Sequence, residues 1–184
     1  SSLDGGHHVS LRFDGARVPA TNVLGKIGEG MQRAVGNITE ERVEIAASAC
    51  GLAQWTTRYV ANHITAPHPS GQRLGDREGV RLRYSDLSIE TYVARATLYR
   101  TARLIESEGE ALNEAMAAKV FCAEALGRIV DGAVQLVGGQ ALVSGHPREA
   151  MSRRVRSLRL AGGASDILRL NIARGRIEFG AGRL

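Results

Sequence analysis

Residues 28–64, GEGMQRAVGNITEERVEIAASACGLAQWTTRYVANHI, carry apolar side chains at the spacing of an α-helix. The apolar positions follow one another at intervals of three, four or seven residues: Met31, Val35, Ile38, Ile45, Ala49, Leu52 and Trp55. Because an α-helix turns once in about 3.6 residues, these positions fall on one side of a helix. The stretch predicts a long amphipathic helix that ends near Ile64.

Further helical patterns follow, separated by stretches rich in proline or glycine. They cover about residues 76–105 and 112–137, a short stretch from Pro147, and about residues 165–174. Asp76 is a suitable N-cap for the second helix, and Gly138-Gly139 a suitable end for the third. Three long helices and short ones with short connections predict a mainly α fold, an up-and-down helical bundle.

Residues 9–20, VSLRFDGARVPA, follow a different pattern, in which apolar and polar side chains alternate before a turn at Asp14-Gly15. This pattern predicts one β-strand. Because a single strand has no sheet of its own, we expect residues 1–25 to be the C-terminal end of a β domain and residues 26–184 to be the bundle. The fold class expected is therefore a mainly α bundle preceded by a terminal β segment, within a longer protein.

Composition limits the function. The chain has 184 residues, a net charge of +5 and only 4% aromatic residues, and 22 of its 24 basic residues are arginine. Few aromatics and interspersed acidic residues argue against a nucleic-acid partner, which stays a minor alternative. No apolar run approaches the roughly 20 residues of a membrane span, and residues 1–11 lack a signal-peptide pattern.

The cysteines and histidines indicate buried thiols in a cytoplasmic protein and no metal site. Cys50 and Cys122 lie in apolar helical stretches and are expected to be buried thiols in the cytoplasm. The pair His7-His8 has no partner at metal-ligand spacing, so the sequence predicts no metal site.

Five stretches, in order, resemble the C-terminal half of the acyl-CoA dehydrogenase family. They are FDGARVPATNVLGKIGEGM (13–31), ERVEIAASACGLAQ (41–54), GQRLGDREGVRLRYSDLSIE (71–90), AVQLVGGQALVSGHPRE (133–149) and RSLRLAGGASDILRLNIAR (156–174). The resemblance implies FAD as cofactor, an acyl-CoA as substrate and an electron-transfer flavoprotein as acceptor. It also implies a homo-oligomer, or assembly with a homologous partner subunit.

The resemblance also directs attention to the base that removes the α proton of the thioester. Many members carry a glutamate in a Tyr-Glu-Gly-Thr pattern, whereas residues 161–164 here are Ala-Gly-Gly-Ala. We call residues 160–164 the closing loop. The isovaleryl-CoA dehydrogenase branch carries its base on the first long helix, where this sequence has Glu41-Arg42. The resemblance thus implies Glu41 as the base, and Arg42 and Gly163 as substrate-binding residues.

A second interpretation of these charges is structural. Glu41 belongs to a cluster of helix charges, which usually form solvated faces with partners three or four residues away. Arg42 is equally compatible with a salt bridge. Without the resemblance, a catalytic interpretation of Glu41 would be the weaker one.

The resemblance implies cofactor contacts at Gln135, Gly138, Gly139, Ser165 and Asp166. One family pattern is missing, since Arg-x-x-Phe-Gly is replaced by Pro-His-Pro-Ser-Gly at residues 67–71. The lost arginine meets the FAD diphosphate in the family, so its absence should weaken flavin binding. Two functions therefore stay open: an FAD-dependent acyl-CoA dehydrogenase, or a non-catalytic, degenerate partner subunit of a heteromeric complex.

Overall fold

In the computed structural model of the protein, residues 9–109 and 111–184 are described, and five α-helices occupy most of them. The helices are α1 (Gly30–Thr65), α2 (Glu78–Glu108), α3 (Leu112–Val137), α4 (Pro147–Leu158) and α5 (Ser165–Phe179). Short 3₁₀ turns lie at Ala20–Asn22, Leu74–Asp76 and Gly139–Leu142. The predicted mainly α bundle is confirmed. Over this described part of the chain, no helix has the length and apolarity needed to span a membrane.

The third helix, α3, is the centre of the bundle and packs against each of the other four helices. Small side chains of α1 and α3 meet in the main core cluster, which includes Ala46, Ala49, Ala53, Ala118 and Ala125. Because alanine is short, the two helices approach closely, and the larger Leu126 and Ile129 fill the remaining space. Cys50 and Cys122 lie buried in the same cluster as free thiols, with Sγ atoms 3.7 Å apart, so the predicted burial of both is confirmed.

A smaller cluster attaches α5 to α3. Met116 and Val120 of α3 pack against Leu168 of α5, which is completely buried, and the half-buried Ile172 adds to the contact. This cluster positions the beginning of α5, and with it the closing loop that precedes it.

The predicted strand over residues 9–20 is wrong for this chain. Residues 9–19 are irregular and exposed, and they lead into the 3₁₀ turn at Ala20–Asn22. A strand is stabilised by hydrogen bonds to a neighbouring strand, and no strand occurs among the described residues. Residues 1–8, which include His7-His8 and the start of the predicted β segment, lie outside the described residues.

Two helix ends also differ from the prediction. Asp76 does not cap α2, because it lies in the 3₁₀ turn and its carboxylate pairs with Arg73 at 3.4 Å. The helix begins at Glu78 without a side-chain cap. At the other end of the chain, α5 continues to Phe179, where Gly180 ends it in a left-handed conformation with φ of 58°.

Candidate functional site

The closing loop between α4 and α5 is held against the bundle by two cationic side chains. Arg42 of α1 donates a hydrogen bond from Nε to the carbonyl oxygen of Gly162 over 3.1 Å. Lys119 of α3 donates from Nζ to the carbonyl oxygen of Gly163 over 2.7 Å. Neighbouring carbonyls of one loop are therefore fixed by two different helices, and Arg42 lies beside the loop that contains Gly163. The substrate-binding role of both residues stays a prediction.

The surroundings of these two cations are poorly solvated. Lys119 is completely buried, and this burial, together with the positive charge of Arg42, lowers its pKa from 10.5 to about 8, while Glu124 opposes the change. Burial also lowers the pKa of Arg42, against the opposing effect of Glu41. The loop thus lies against two cations, of which Lys119 is buried and Arg42 is half-buried.

Lys119 is not among the site residues predicted from the sequence. Its position carried a signal, because it is one of two lysines in the chain and lies within the apolar run AMAAKVFCAEAL, residues 115–126. A buried ammonium requires a hydrogen-bond acceptor, and the acceptor in this case is a backbone carbonyl distant in sequence. The sequence pattern indicates that the buried ammonium requires an acceptor, but it does not indicate which atom accepts the hydrogen bond.

Glu41 lies on α1 immediately before Arg42, and its side chain is exposed. One turn further along α1, Ile45 borders the closing loop so closely that a Cβ added at Gly162 would lie 2.7 Å from its Cδ1. Residues four apart share a helix face, so Glu41 lies on the same face of α1 as Ile45. Among the described residues, no ion pair involves Glu41. Its assignment as the base stays a prediction.

Ser165 and Asp166 follow the closing loop directly, in the first turn of α5. Ser165 is buried, and its backbone N–H donates to the carbonyl oxygen of Arg159 over 3.0 Å. Asp166 is exposed and pairs with Arg169 at 3.2 Å. The structure therefore places these two predicted cofactor contacts close to Gly163 in the chain, with Ser165 buried and Asp166 exposed.

Glu124 of α3 forms ion pairs with one arginine before the closing loop and one after it. Its carboxylate pairs with Arg159 at 3.6 Å and with Arg169 at 2.6 Å. The hydrogen bond from Arg169 is the main reason why the pKa of Glu124 is lowered. Arg159 and Arg169 therefore have a scaffold role on the two sides of the closing loop.

We expect Gly163→Ala to lower the free energy of unfolding by about 2–3 kcal/mol, because alanine is strained at the positive φ of 107° and its Cβ would lie 2.9 Å from Leu168 Cδ2. Gly127→Ala is the matched control, since Gly127 is helical and a Cβ there meets nothing within 4 Å. The free energy of unfolding of the control variant should rise by about 0.5–1 kcal/mol. Chemical denaturation measures both, and equal stabilities of the two variants would contradict the expectation.

The other predicted cofactor contacts lie at the far end of α3. Gly138 ends the helix with φ of 84°, Gly139 begins the next 3₁₀ turn, and Gln135 is exposed. Gln135 borders a cavity of about 540 Å³ that is lined by two arginines, Arg83 and Arg128, and by three carboxylates, Asp86, Glu90 and Asp131. Arg128 pairs with Glu90 at 2.7 Å. Lys119 and Gly138 are 19 residues apart on one helix, which corresponds to about 28 Å. Within one chain, these residues are therefore not brought together with the closing loop.

Residues 67–71, where the Arg-x-x-Phe-Gly pattern is lost, form an exposed turn. Gly71 N–H donates to the carbonyl oxygen of His68 over 2.9 Å, and His68 Nδ1 and Ser70 Oγ share a hydrogen bond of 2.8 Å. The turn is stabilised by its own polar groups and contributes neither an arginine nor an aromatic ring. Elsewhere in the described ranges, no group of three or more His, Cys, Asp or Glu side chains is arranged to hold a metal ion.

Comparison with known proteins gives the family. The profile of the family described as "Acyl-CoA dehydrogenase, C-terminal domain" matches residues 28–177. The short/branched chain specific acyl-CoA dehydrogenase, mitochondrial, of Rattus norvegicus is 32% identical over 164 residues, which are 89% of this chain and 38% of that protein. An acyl-CoA dehydrogenase of Bacillus subtilis is 29% identical over 172 residues, 94% of this chain and 45% of that protein.

The fold has solved counterparts. The crystal structure of acyl-CoA dehydrogenase from Geobacillus kaustophilus superposes with a TM-score of 0.84 at 23% identity, covering 88% of this chain and 43% of that one. The chain thus spans less than half the length of these relatives. From the profile match over most of its residues, the chain belongs to the acyl-CoA dehydrogenase C-terminal domain family.

Proposed function

We propose that this chain is the C-terminal portion of an FAD-dependent acyl-CoA dehydrogenase, which introduces an α,β double bond into an acyl-CoA thioester. The observation that carries the proposal is the attachment of a closing loop without a carboxylate to the part of α1 that bears Glu41 and Arg42. In this respect the chain resembles the isovaleryl-CoA dehydrogenase branch, and we propose the same placement of the base.

The chemistry assigns a separate task to each residue of the site. The α carbon of a thioester is a weak acid, so a carboxylate must lie against it, and Glu41 is proposed to take the α proton. FAD, when bound, supplies the acceptor for the hydride from the β carbon. Amides of the closing loop suit the thioester oxygen, because Gly163 allows the acyl group to approach the backbone closely. Arg42 holds this loop through Gly162.

The residues proposed for FAD lie in two groups. Gln135, Gly138 and Gly139 are exposed and offer a side-chain amide and backbone groups to the cofactor. The adjoining cavity is not a ready diphosphate site, because Arg128 pairs with Glu90 at 2.7 Å and the carboxylates of Asp86 and Asp131 line it together with Arg83. Ser165 and Asp166 are proposed to meet the flavin at the other end of the chain. Because Lys119, which holds Gly163, lies about 28 Å along α3 from Gly138, we propose that the two groups serve different FAD molecules in an oligomer.

The remaining parts of the proposal concern context. We propose that residues 26–184 form the bundle domain and that residues 1–25, whose described part forms no strand by itself, end a β domain. The partners proposed are an acyl-CoA, an electron-transfer flavoprotein and a second copy of the chain, in a protein of fatty acid metabolism. The unbridged thiols of Cys50 and Cys122 support a cytoplasmic location.

The proposal predicts that the full-length protein purifies with a flavin absorption spectrum, which a suitable acyl-CoA bleaches under anaerobic conditions. Because the turn at residues 67–71 has no arginine, the 184-residue chain alone should not retain FAD. Absence of flavin from the full-length protein, or no bleaching by a series of straight and branched acyl-CoAs, would replace this proposal by the non-catalytic partner subunit.

A further inference from the structure

The two cations that hold the closing loop also determine where its amides face. In a planar trans peptide, each N–H points opposite to the carbonyl of the residue before it, and no described peptide bond is cis. With the carbonyl of Gly162 on Arg42 and that of Gly163 on Lys119, the N–H groups of Gly163 and Ala164 face away from these cations. Neither N–H donates to an acceptor among the described residues.

The two sides of this loop differ in their access to water. Lys119 is completely buried, so it holds the Gly163 carbonyl from the interior of the bundle. Gly163 and Ala164 themselves are only half-buried. Positive φ values of 62° at Gly162 and 107° at Gly163 give the bend in which the two carbonyls reach Arg42 and Lys119. The unused amides therefore face away from the buried Lys119, on the partly exposed side of the loop.

We infer that Lys119 is a positioning residue of the active site, which holds the Gly163 carbonyl inward so that the amides of Gly163 and Ala164 face the carbonyl oxygen of the acyl thioester. The inference rests on the proposed function. It adds a residue that never contacts the substrate and acts only through the peptide between Gly163 and Ala164.

The peptide between Gly163 and Ala164 depends on Lys119 for its orientation. Glycine permits rotations that other residues resist, so the peptide after Gly163 has little intrinsic preference for the observed orientation. A buried carbonyl without a donor is unfavourable, and it would turn toward water if Lys119 were replaced by an apolar residue. Turning the carbonyl outward turns the N–H of Ala164 inward, away from the thioester.

The test compares two non-reactive ligands on the full-length, flavin-loaded protein. Pivaloyl-CoA has no α hydrogen, and neopentyl-CoA is its thioether counterpart without the carbonyl oxygen. We expect wild-type protein to bind pivaloyl-CoA about 10-fold more tightly than neopentyl-CoA, as a hydrogen-bonded carbonyl requires. In Lys119→Met the preference should fall to about 2-fold or less, while the affinity for neopentyl-CoA changes little.

The controls separate positioning from simple destabilisation. Val130→Ala, in the core on the same helix, should lower the melting temperature and leave the preference for the carbonyl intact. If Lys119→Met does not fold, Lys119→Gln replaces it, and its shorter side chain should also reduce the preference. A wild-type preference that persists in the folded Lys119 variant overturns this inference alone. Wild-type protein that binds neither ligand overturns the proposed function and this inference with it.

Discussion

Replacing Glu41 by glutamine in the full-length protein is expected to slow the reduction of flavin by a suitable acyl-CoA by at least about 10²-fold, the usual effect of losing a general base. Glutamine has nearly the same size as glutamate but cannot accept the α proton. The closing loop offers no substitute, because residues 160–164 contain no titratable side chain. Rapid anaerobic mixing, followed by the flavin absorbance, measures the rate of reduction.

The fold should tolerate this change. Glu41 is exposed and forms no ion pair among the described residues, so the melting temperature and the flavin content should stay close to those of the wild type. Glu44→Gln is the matched control, since Glu44 is an exposed glutamate on the same helix, less than one turn away. If Glu41→Gln reduces flavin at the wild-type rate, or if both variants are equally slow, Glu41 is only a surface charge.

Most of the fold could be predicted from the sequence because helix periodicity is a local property. The spacing from Met31 to Trp55 and the glycines after Val137 indicate α1 and the end of α3 without knowledge of the packing. The strand over residues 9–20 failed for the opposite reason. Alternation describes a strand only when a neighbouring strand exists, and local pattern carries no information about neighbours.

Part of the candidate site could also be predicted from the sequence, and part could not. The resemblance indicated Glu41, Arg42 and Gly163, and the structure brings α1 and the closing loop into contact. Lys119 was missed because its partner is a backbone carbonyl 44 residues away. Every residue has such a carbonyl, so the residue type does not indicate which one accepts the hydrogen bond. Burial in the apolar face of α3 lowers the pKa of Lys119, and this change can be measured as a dependence of stability on pH.

That charge predicts how stability depends on pH. The pKa of Lys119 is about 8 in the folded protein, against 10.5 for an unperturbed lysine. Below about pH 8 both states bind the proton, and folding has to bury the full charge. Between about pH 8 and 10.5 the folded state releases the proton while the unfolded state retains it, so the free energy of unfolding rises with pH. At about 1.4 kcal/mol per pH unit, the rise attributable to Lys119 is about 3 kcal/mol.

Other groups titrate in the same range, so the measurement is a difference between variants. Denaturant unfolding of full-length wild type and Lys119→Met, from neutral pH to about pH 10, should show the wild type gaining stability relative to the variant by up to about 3 kcal/mol. Lys26→Met is the control, because the side chain of Lys26 is 84% exposed and its charge is hydrated in both states. A difference between wild type and Lys119→Met that is constant over this pH range would mean that water reaches the ammonium, and that the Gly163 carbonyl is not held from a dry interior.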